Sequence, residues 1–212
     1  MKLDRKNLVN YWNRFYSNNI ILSKPSKFAI FSSKYLKNYQ GTLFDIGCGN
    51  GRDTIFFHKK NIKIIGLDIS NQAIRRNKKK IKKKSLKFMR VNFCQYFNKK
   101  IGYKFSIYSR FTMHTINHKE EEIFFKSIIN QPNLQYLFIE TRTTDDELFG
   151  IGKKIGKNEY FSDHYRRFII PKEFKKRFKK KFQIIFFKKS KNFAKYKNYK
   201  PNVLRIIAKK IN

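Results

Sequence analysis

The chain has 212 residues, of which 41% are apolar and 17% aromatic, so it can form one domain with a sizeable core and is not a disordered basic tail. Its formal net charge of +36 leaves phosphate polymers such as RNA open as partners. No apolar run approaches the roughly 20 residues of a membrane-spanning helix. Cys48 and Cys94 lie outside any C-x-x-C pattern, which predicts neither a disulfide framework nor a zinc site. We expect a cytoplasmic protein without a membrane span.

The positive charge has two interpretations. Clustered cations bind phosphate polymers through counterion release, and the lysines at 78–80 and 82–84 form such a cluster. The abundant residue types Lys, Asn, Ile, Phe and Tyr are, however, those written with A- and T-rich codons, and the lysines are spread over nearly every segment. We interpret most of the charge as compositional and keep RNA as a possible partner.

Hydrophobic periodicity predicts an alternation of helices and strands. The predicted helices cover 5–17, 26–37, 53–60, 71–84 and 119–129, with a further helix start in 171–181. The predicted strands cover 42–46, 63–67, 86–91, 104–108, 134–140, 182–187 and 203–208. This order favours an α/β three-layer sandwich with a mainly parallel sheet and an antiparallel C-terminal strand pair. We expect a single domain over 1–212, with an N-terminal helical cap at 1–40 and a substrate loop at 141–170.

A glycine-rich turn follows the first predicted strand in "TLFDIGCGNGRDTIFF". Glycines at such a turn let a ligand approach the backbone and a helix N-terminus. Gly47, Gly49 and Gly51 have the spacing G-x-G-x-G and not the G-x-G-x-x-G of a dinucleotide site. Asp68 ends the next predicted strand, 19 residues after Gly49, where its carboxylate can accept hydrogen bonds from both ribose hydroxyls. The pattern predicts a ligand with a ribose and without a pyrophosphate.

These residues also carry a family resemblance. "FDIGCGNGRDT" followed by "GLDIS" resembles the first two motifs of the class I S-adenosylmethionine-dependent methyltransferases. The acid two positions before the glycines, the glycine spacing and the second acid at the end of the next strand all match. The resemblance implies a Rossmann-like fold, S-adenosyl-L-methionine as the cofactor and methyl transfer as the reaction.

The resemblance also implies positions for the cofactor. Those at the methionine part are Asp45, Gly47, Gly49 and Gly51, and Asp68 holds the ribose. Those beside the adenine are Ile69, Ser70, Asn92 and Phe93, and those at the fourth motif are Ser109, Arg110 and Phe111. The family usually has Asp where Asn92 stands. The aromatic residues Tyr11, Trp12 and Phe28 either close over the cofactor or belong to the core.

Two blocks, 108–116 and 139–169, place charged residues beside apolar strands at the edge where the methyl group should emerge. The candidates for lining one cleft are Arg110, His114, Glu140, Arg142, Asp145, Asp146, His164, Tyr165, Arg166 and Arg167. The polar segment 141–163 contains Gly150, Gly152 and Gly156, a composition typical of a mobile loop. We expect this loop to close over the acceptor.

The motifs "YSRF..H", "ETR..DD..FG.G" and "HYRRF" resemble those of small bacterial methyltransferases encoded with capsule and surface-polysaccharide genes, some associated with methylation of phosphoramidate decorations. This resemblance implies O-methylation of a small anionic or sugar-linked acceptor, with Arg142, Arg166 and Arg167 suited to phosphate oxygens. The chain is also similar to messenger-RNA cap guanine-N7 methyltransferases, whose fourth motif has an aromatic residue followed by His. RNA methylation is therefore the alternative function.

The reaction needs no metal. If the acceptor is a hydroxyl group, His114 is the first candidate for the general base, because an unperturbed imidazole has a pKa near 6.5. The other interpretation of His114 is a histidine satisfied at a strand-to-helix turn. If the acceptor oxygen is already ionised, no base is needed. A cofactor-binding subunit without catalysis is a third possibility, and the acceptor and the oligomeric state stay open.

Overall fold

The computed structural model describes residues 5–18, 24–80, 86–179, 181–196 and 198–211. The α-helices are α1 (Arg5–Asn18), α2 (Lys27–Ser33), α3 (Arg52–Lys59), α4 (Asn71–Lys80), α5 (Phe93–Tyr96), α6 (His118–Ile129) and α7 (Pro171–Lys175). Short 3-10 helices cover Lys34–Leu36, Met113–Thr115 and Lys176–Phe178. Within the described ranges, no helix combines the length and the apolar character that crossing a membrane requires.

Among the described residues, ten strands form two sheets. The strands of the large sheet are β1 (Thr42–Ile46), β2 (Ile64–Asp68), β3 (Lys87–Arg90), β4 (Phe105–Arg110), β5 (Leu134–Arg142), β9 (Phe182–Ser190) and β10 (Val203–Lys210). Their order is β3-β2-β1-β4-β5-β10-β9. The five strands β1 to β5 are parallel, and β10 pairs antiparallel with both β5 and β9. This architecture confirms the predicted α/β Rossmann-like class and its antiparallel C-terminal pair.

The large sheet is buried on both faces. All five residues of β1 are buried, and successive side chains point to opposite faces of a strand. Phe44 and Ile46 accordingly pack into one apolar core, whereas Leu43 packs into a second core on the other face. Because strands β1 to β5 are parallel, their carboxyl ends lie at the same edge of the sheet. The helices pack on its two faces.

Two predicted helices end earlier than expected. The helix expected over 26–37 begins after the N-cap Ser26, whose side chain accepts a hydrogen bond from the backbone N–H of Ala29, and it ends at Ser33 before a 3-10 turn. The helix expected over 171–181 ends at Lys175 and also continues as a 3-10 turn. Residues 81–84 of the helix expected over 71–84 lie outside the described residues.

The polar segment predicted as a loop forms regular structure instead. Strands β6 (Lys153–Gly156), β7 (Glu159–Phe161) and β8 (Tyr165–Arg167) pair antiparallel in the order β6-β7-β8. Gly152 has φ +93°, and a Cβ atom there would lie 2.5 Å from the carbonyl oxygen of Phe161. The glycine at position 152 therefore serves a close approach to β7, and residues 153–167 contain strands where the sequence analysis expected a loop.

Candidate active site

The turn between β1 and α3 needs glycine at two positions because other side chains occupy the space above it. Gly47 has φ +67°, and a Cβ atom there would lie 2.3 Å from Oγ1 of Thr112. Gly49 has φ +51°, and a Cβ atom there would lie 2.2 Å from Oη of Tyr16 on α1. L-residues other than glycine rarely adopt such φ values. Because the two glycines have no side chains, Thr112 and Tyr16 can pack directly on the backbone of the turn.

Asp68 lies at the end of β2 and holds this turn. One carboxylate oxygen accepts a hydrogen bond from the backbone N–H of Gly49 at 2.8 Å, and the other accepts one from the N–H of Ser70 at 2.8 Å. Burial raises the pKa of Asp68, although these backbone donors act to lower it. Each carboxylate oxygen has capacity for a further hydrogen bond. Asp68 can therefore hold the turn and still accept hydrogen bonds from a ligand.

A cavity opens over the glycine turn and Asp68, with a volume of about 600 Å³ including its mouth. The residues lining this glycine-turn cavity are Arg5, Leu8, Trp12, Tyr16, Gly47, Asp68, Ile69, Asn92, Phe93, Phe111, Thr112, Thr115, Ile116 and Glu120. It combines an apolar wall, a buried carboxylate and a glycine backbone, which suits a nucleoside with an apolar linkage.

Helix α1 covers the mouth of the glycine-turn cavity. Arg5 forms an ion pair with Glu120 of α6, and both side chains line the mouth. On the next turns of α1, Asn13 accepts hydrogen bonds from the hydroxyl of Ser70 at 2.9 Å and from the backbone N–H of Gln72 at 3.3 Å. The helix is therefore tied to both sides of the cavity.

Six of the positions that the resemblance implies for the cofactor meet at this cavity, namely Gly47, Asp68, Ile69, Asn92, Phe93 and Phe111. Asn92 also caps α5, because its side-chain oxygen accepts a hydrogen bond from the N–H of Cys94 at 3.2 Å. Its side-chain NH2 group can donate to a ligand, which the Asp usual in the family cannot do when ionised.

The other predicted cofactor residues lie behind the lining. Asp45 is buried and accepts a hydrogen bond from Thr54 of α3 at 2.5 Å, and burial together with Asp53 raises its pKa well above the usual value. Gly51 is the N-cap of α3, with φ +71°. Ser70 accepts a hydrogen bond from the N–H of Ala73, and Ser109 is fully buried within β4. Gly49 contributes through its bond to Asp68.

A family model described as a methyltransferase domain matches residues 37–138, which contain the glycine turn, Asp68 and strand β4. This part of the chain is therefore similar to a methyltransferase domain. No curated protein matches the sequence at a significant level.

Solved structures share the fold over nearly the whole chain. An S-adenosylmethionine-dependent methyltransferase from Anabaena variabilis is 18% identical, with a TM-score of 0.71 and coverage of 97% of this chain and 94% of that one. One from Clostridium acetobutylicum is 13% identical, with a TM-score of 0.64 and coverage of 96% and 98%. A glycopeptide N-methyltransferase in complex with S-adenosyl-L-homocysteine is 10% identical, with a TM-score of 0.65 and coverage of 91% and 92%. The domain and the fold support an enzyme of the methyltransferase class with S-adenosylmethionine as its cofactor.

The predicted acceptor residues do not line one cleft of this methyltransferase. Arg110 and Glu140 form an ion pair at 3.0 Å on neighbouring strands of the large sheet. Arg142 binds both carboxylate oxygens of Asp146, at 2.9 and 3.0 Å, and Asp145 forms an ion pair with Lys189. The remaining candidates lie on and beside β8.

Arg166 and Arg167 point in opposite directions because successive side chains of a strand alternate. Arg166 donates to Asp163 at 2.6 Å. Arg167 is only 3% exposed, donates to the carbonyl oxygen of Ile116 at 2.9 Å and forms an ion pair with Glu121 of α6. The sequence analysis treated the two arginines as a pair for phosphate oxygens, and the structure separates them.

His164 connects β8 to α1 and lies away from the lining of the glycine-turn cavity. Its imidazole stacks on the ring of Tyr11 at 4.6 Å and contacts Trp12, and its Nδ1 lies 2.9 Å from the carboxylate of Asp163. Burial and the neighbouring Arg166 lower the pKa of His164 to about 4. Tyr165 is buried on the opposite face, and burial raises its pKa. Among the predicted aromatic residues, Trp12 lines the cavity, Tyr11 binds Asp163, and Phe28 lies in the core.

His114 lies in the 3-10 turn after β4 and is 4% exposed. Burial and the neighbouring cation of Arg142 lower its pKa well below the usual value. The expected pKa near 6.5 is therefore wrong, and His114 is a weaker base than an exposed imidazole. Its neighbours Thr112 and Thr115 line the glycine-turn cavity, whereas His114 is not part of that lining.

Sequence reasoning missed most of the residues that form the cavity walls opposite the glycines. Thr112 lies one residue beyond the predicted fourth motif, donates to the carbonyl oxygen of Ile46 at 3.0 Å and packs on Gly47. Glu120 completes a capping box with Asn117 at the start of α6. That local role accounts for a Glu in the sequence, so nothing in the sequence indicated that Glu120 also lines the cavity. Tyr16 lies on the aromatic-rich helix α1, and the sequence does not show that this helix packs against the glycine turn.

Proposed function

We propose that this methyltransferase transfers the methyl group of S-adenosylmethionine to an oxygen atom of a small anionic or sugar-linked acceptor. The anionic acceptor is favoured by the charges described below, and the sugar-linked acceptor by the resemblance to surface-polysaccharide methyltransferases. The single-domain organisation and the cytoplasmic location expected from the sequence are part of this proposal.

The observation that carries the proposal is the position of Phe111 between two cavities. Phe111 lines the glycine-turn cavity and also a second cavity, whose other lining residues include Arg52 and Arg110. It has φ +54°, a conformation that is a genuine outlier for a bulky residue. Such strain is found mainly at functional sites, where the surrounding structure holds the residue in place. A cofactor in one cavity and an acceptor in the other would meet at this side chain.

When bound, S-adenosylmethionine supplies a methyl group that its positive sulfur already activates. The protein must then mainly hold the acceptor in line and exclude water, and orientation of this kind can lower a barrier by several kcal/mol. Asp68, Asn92 and the glycine turn are the groups proposed to hold the cofactor, and α1 is proposed to cover it. An acceptor with an ionised oxygen needs no general base, which agrees with the lowered pKa of His114.

The alternative acceptor is RNA, which the net charge of +36 favours. The second alternative is a cofactor-binding subunit without catalysis. Production of S-adenosylhomocysteine separates the three. The purified chain should be incubated with S-adenosylmethionine and, separately, with aryl phosphates, sugar phosphates and capped RNA. We expect turnover with a small acceptor and an O-methyl signal in the NMR spectrum of the product.

Turnover with capped RNA alone would contradict the small acceptor. Tight binding of S-adenosylmethionine without turnover on any of these acceptors would favour a non-catalytic subunit.

A further inference from the structure

The second cavity lies at the carboxyl ends of β4 and β5, on the other side of Phe111 from the glycine turn, and measures about 1330 Å³ including its mouth. Its walls come from the starts of α2 and α3, from the two strands and from the segment between β9 and β10. Its charged lining residues are Lys24, Lys27, Arg52, Arg110, Glu140 and Lys195. We call it the basic cavity.

The carboxylate of Glu140 does not balance these cations. It is fully buried and accepts hydrogen bonds from Nε of Arg110 at 3.0 Å and from Nε of Arg205 at 2.6 Å. Two guanidinium groups therefore share one carboxylate. The acid of the basic cavity is neutralised by its own neighbours, and an excess of positive charge faces the open space.

Arg52 is a cation of the basic cavity with weak local compensation. Its Nε lies 3.9 Å from a carboxylate oxygen of Asp53, beyond hydrogen-bond distance. That carboxylate already accepts hydrogen bonds from the backbone and hydroxyl of Ser26, each at 2.7 Å, and from the hydroxyl of Tyr108 at 2.8 Å. The side chain of Arg52 is 17% exposed. Burial and the neighbouring Arg110 lower the pKa of Arg52, so an anion at this position would relieve an unfavourable environment.

Aromatic rings form part of the remaining wall of the basic cavity. Phe111, Phe193 and Tyr199 are among its lining residues. Cations contact two of these rings, since the guanidinium of Arg110 lies 4.4 Å from the centre of Phe111 and that of Arg205 lies 4.3 Å from the centre of Phe193. Fixed aromatic faces contact flat apolar groups well. The cavity thus combines a site for negative charge with surfaces for a ring.

We propose that Arg52 binds the phosphate group of the methyl acceptor and that the acceptor is a small phosphate monoester with a flat ring packed between the aromatic walls. This inference rests on the proposed function and names the acceptor's chemical class and its binding residue. Guanidinium groups match phosphate oxygens in a bidentate geometry, and small molecules bind in concave sites that combine apolar walls with a few polar groups. RNA phosphates would instead require a continuous basic stripe.

Phenyl phosphate is the probe, titrated by calorimetry into the full chain loaded with S-adenosylhomocysteine. Arg52→Gln removes the guanidinium charge and keeps a shorter polar side chain. Lys59→Gln is the matched control, because Lys59 is exposed on the same helix about 10 Å further along its axis. We expect Arg52→Gln to weaken phenyl phosphate binding at least tenfold and Lys59→Gln to change it less than twofold.

Three results would overturn the inference. The first is that wild-type protein does not bind phenyl phosphate, whether or not it binds a single-stranded oligonucleotide. The second is equal weakening by Arg52→Gln and Lys59→Gln, which would indicate a diffuse effect of net charge. The third is that Arg52→Gln weakens S-adenosylhomocysteine but not methylthioadenosine, which lacks the amino-acid carboxylate, because Arg52 would then hold the cofactor.

Failure of the proposed function has a different signature. In that case phenyl phosphate still binds in an Arg52-dependent manner, while no phosphate-bearing acceptor yields S-adenosylhomocysteine. Benzoate, titrated in the same way, tests the class of anion. We expect it to bind at least tenfold more weakly than phenyl phosphate, and equal affinity would contradict a phosphate acceptor.

Discussion

The carboxylate of Asp68 accepts a hydrogen bond of 2.8 Å from the backbone N–H of Gly49, which joins the end of β2 to the glycine turn after β1. The same carboxylate lines the glycine-turn cavity. One side chain therefore shapes the turn and faces the position proposed for the ribose of the cofactor.

The first prediction is that Asp68→Asn sharply weakens binding of S-adenosylmethionine. Hydrogen bonds to a charged acceptor contribute about 1.5–3 kcal/mol each, so the loss of two corresponds to a weakening of about 100-fold or more. Calorimetric titration measures the dissociation constant. The control is Asp145→Asn, since Asp145 is exposed on the surface and paired with Lys189. Unchanged affinity in a folded Asp68→Asn variant would place the cofactor elsewhere.

The second prediction concerns the ion pair between Arg167 and Glu121, in which each side chain is only 3% exposed. Removing one partner of a buried pair typically costs about 3–5 kcal/mol when the other charge is left unpaired. Glu121 keeps a second partner, since Nε of Arg177 lies 2.9 Å from its other carboxylate oxygen. We therefore expect Arg167→Met to lower the free energy of unfolding by about 2 kcal/mol in urea titrations. Arg166→Met is the matched control on the same strand, and its loss should stay below about 1 kcal/mol, since its partner Asp163 is largely exposed.

The double variant Arg167→Met with Glu121→Gln separates the charge effect from lost packing. We expect it to recover part of the stability, because the buried charge of Glu121 is then gone, while Arg177, which loses its partner, is 35% exposed and can be solvated. A double variant as unstable as Arg167→Met alone would indicate that packing, and not charge, dominates at this position.

The third prediction is a loss of stability in mild acid. The pKa of His164 is about 4 in the folded chain, compared with about 6.5 in an unfolded one. Since the unfolded state binds the proton first, stability is full above pH 6.5 and falls as the pH decreases toward 4. Linkage predicts a loss of about 2 kcal/mol from this group between pH 7 and pH 5.

Urea titrations of the wild type and of His164→Gln at both pH values test this. The decrease should be smaller by about 2 kcal/mol in the variant. His114, whose pKa is also lowered, continues to contribute in both proteins. Equal decreases would show that His164 is protonated in the folded state.

The large sheet was predictable from the sequence because its signals are local. The bounds of β1 are Thr42–Ile46, as predicted, since an apolar run stops at the glycines that the turn requires. Strands β6 to β8 were missed because they are three or four residues long and polar, so their periodicity is too short to detect. The partner of Arg167 was equally hidden, since Glu121 lies 46 positions away and the pair depends on how β8 packs on α6.

The site divides in the same way. Gly47 and Asp68 were predictable from their residue types. A glycine lets a ligand approach the backbone, and a carboxylate accepts hydrogen bonds from hydroxyl groups. Arg52 was not singled out, because a basic residue after a glycine turn is unremarkable among 50 Lys and Arg residues. Its importance depends on Ser26 and Tyr108 occupying the carboxylate of Asp53, which only the folded structure brings together.

The last prediction tests whether the charge of +36 takes part in function. Lys78, Lys79 and Lys80 form the exposed last turn of α4, which packs near β3 at one edge of the large sheet. Arg52 and the basic cavity lie elsewhere, at the ends of β4 and β5. If the lysines are compositional, changing all three to Gln should leave the rate of methyl transfer to a small acceptor within about twofold, because no phosphate contact is lost. The control is the equivalent triple change at the exposed residues Lys99, Lys100 and Lys104.

Binding of a fluorescent single-stranded oligonucleotide, measured at several salt concentrations, gives the second readout. For an RNA enzyme, each phosphate contact contributes a slope of about −0.7 to the dependence of log K on log salt. A slope that becomes shallower by about two units in the α4 variant, but not in the control, together with lost methyl transfer, would favour the RNA alternative. We expect both variants to bind the oligonucleotide equally and to retain their transfer rate, since the acceptor's phosphate is assigned to Arg52 and not to this lysine cluster.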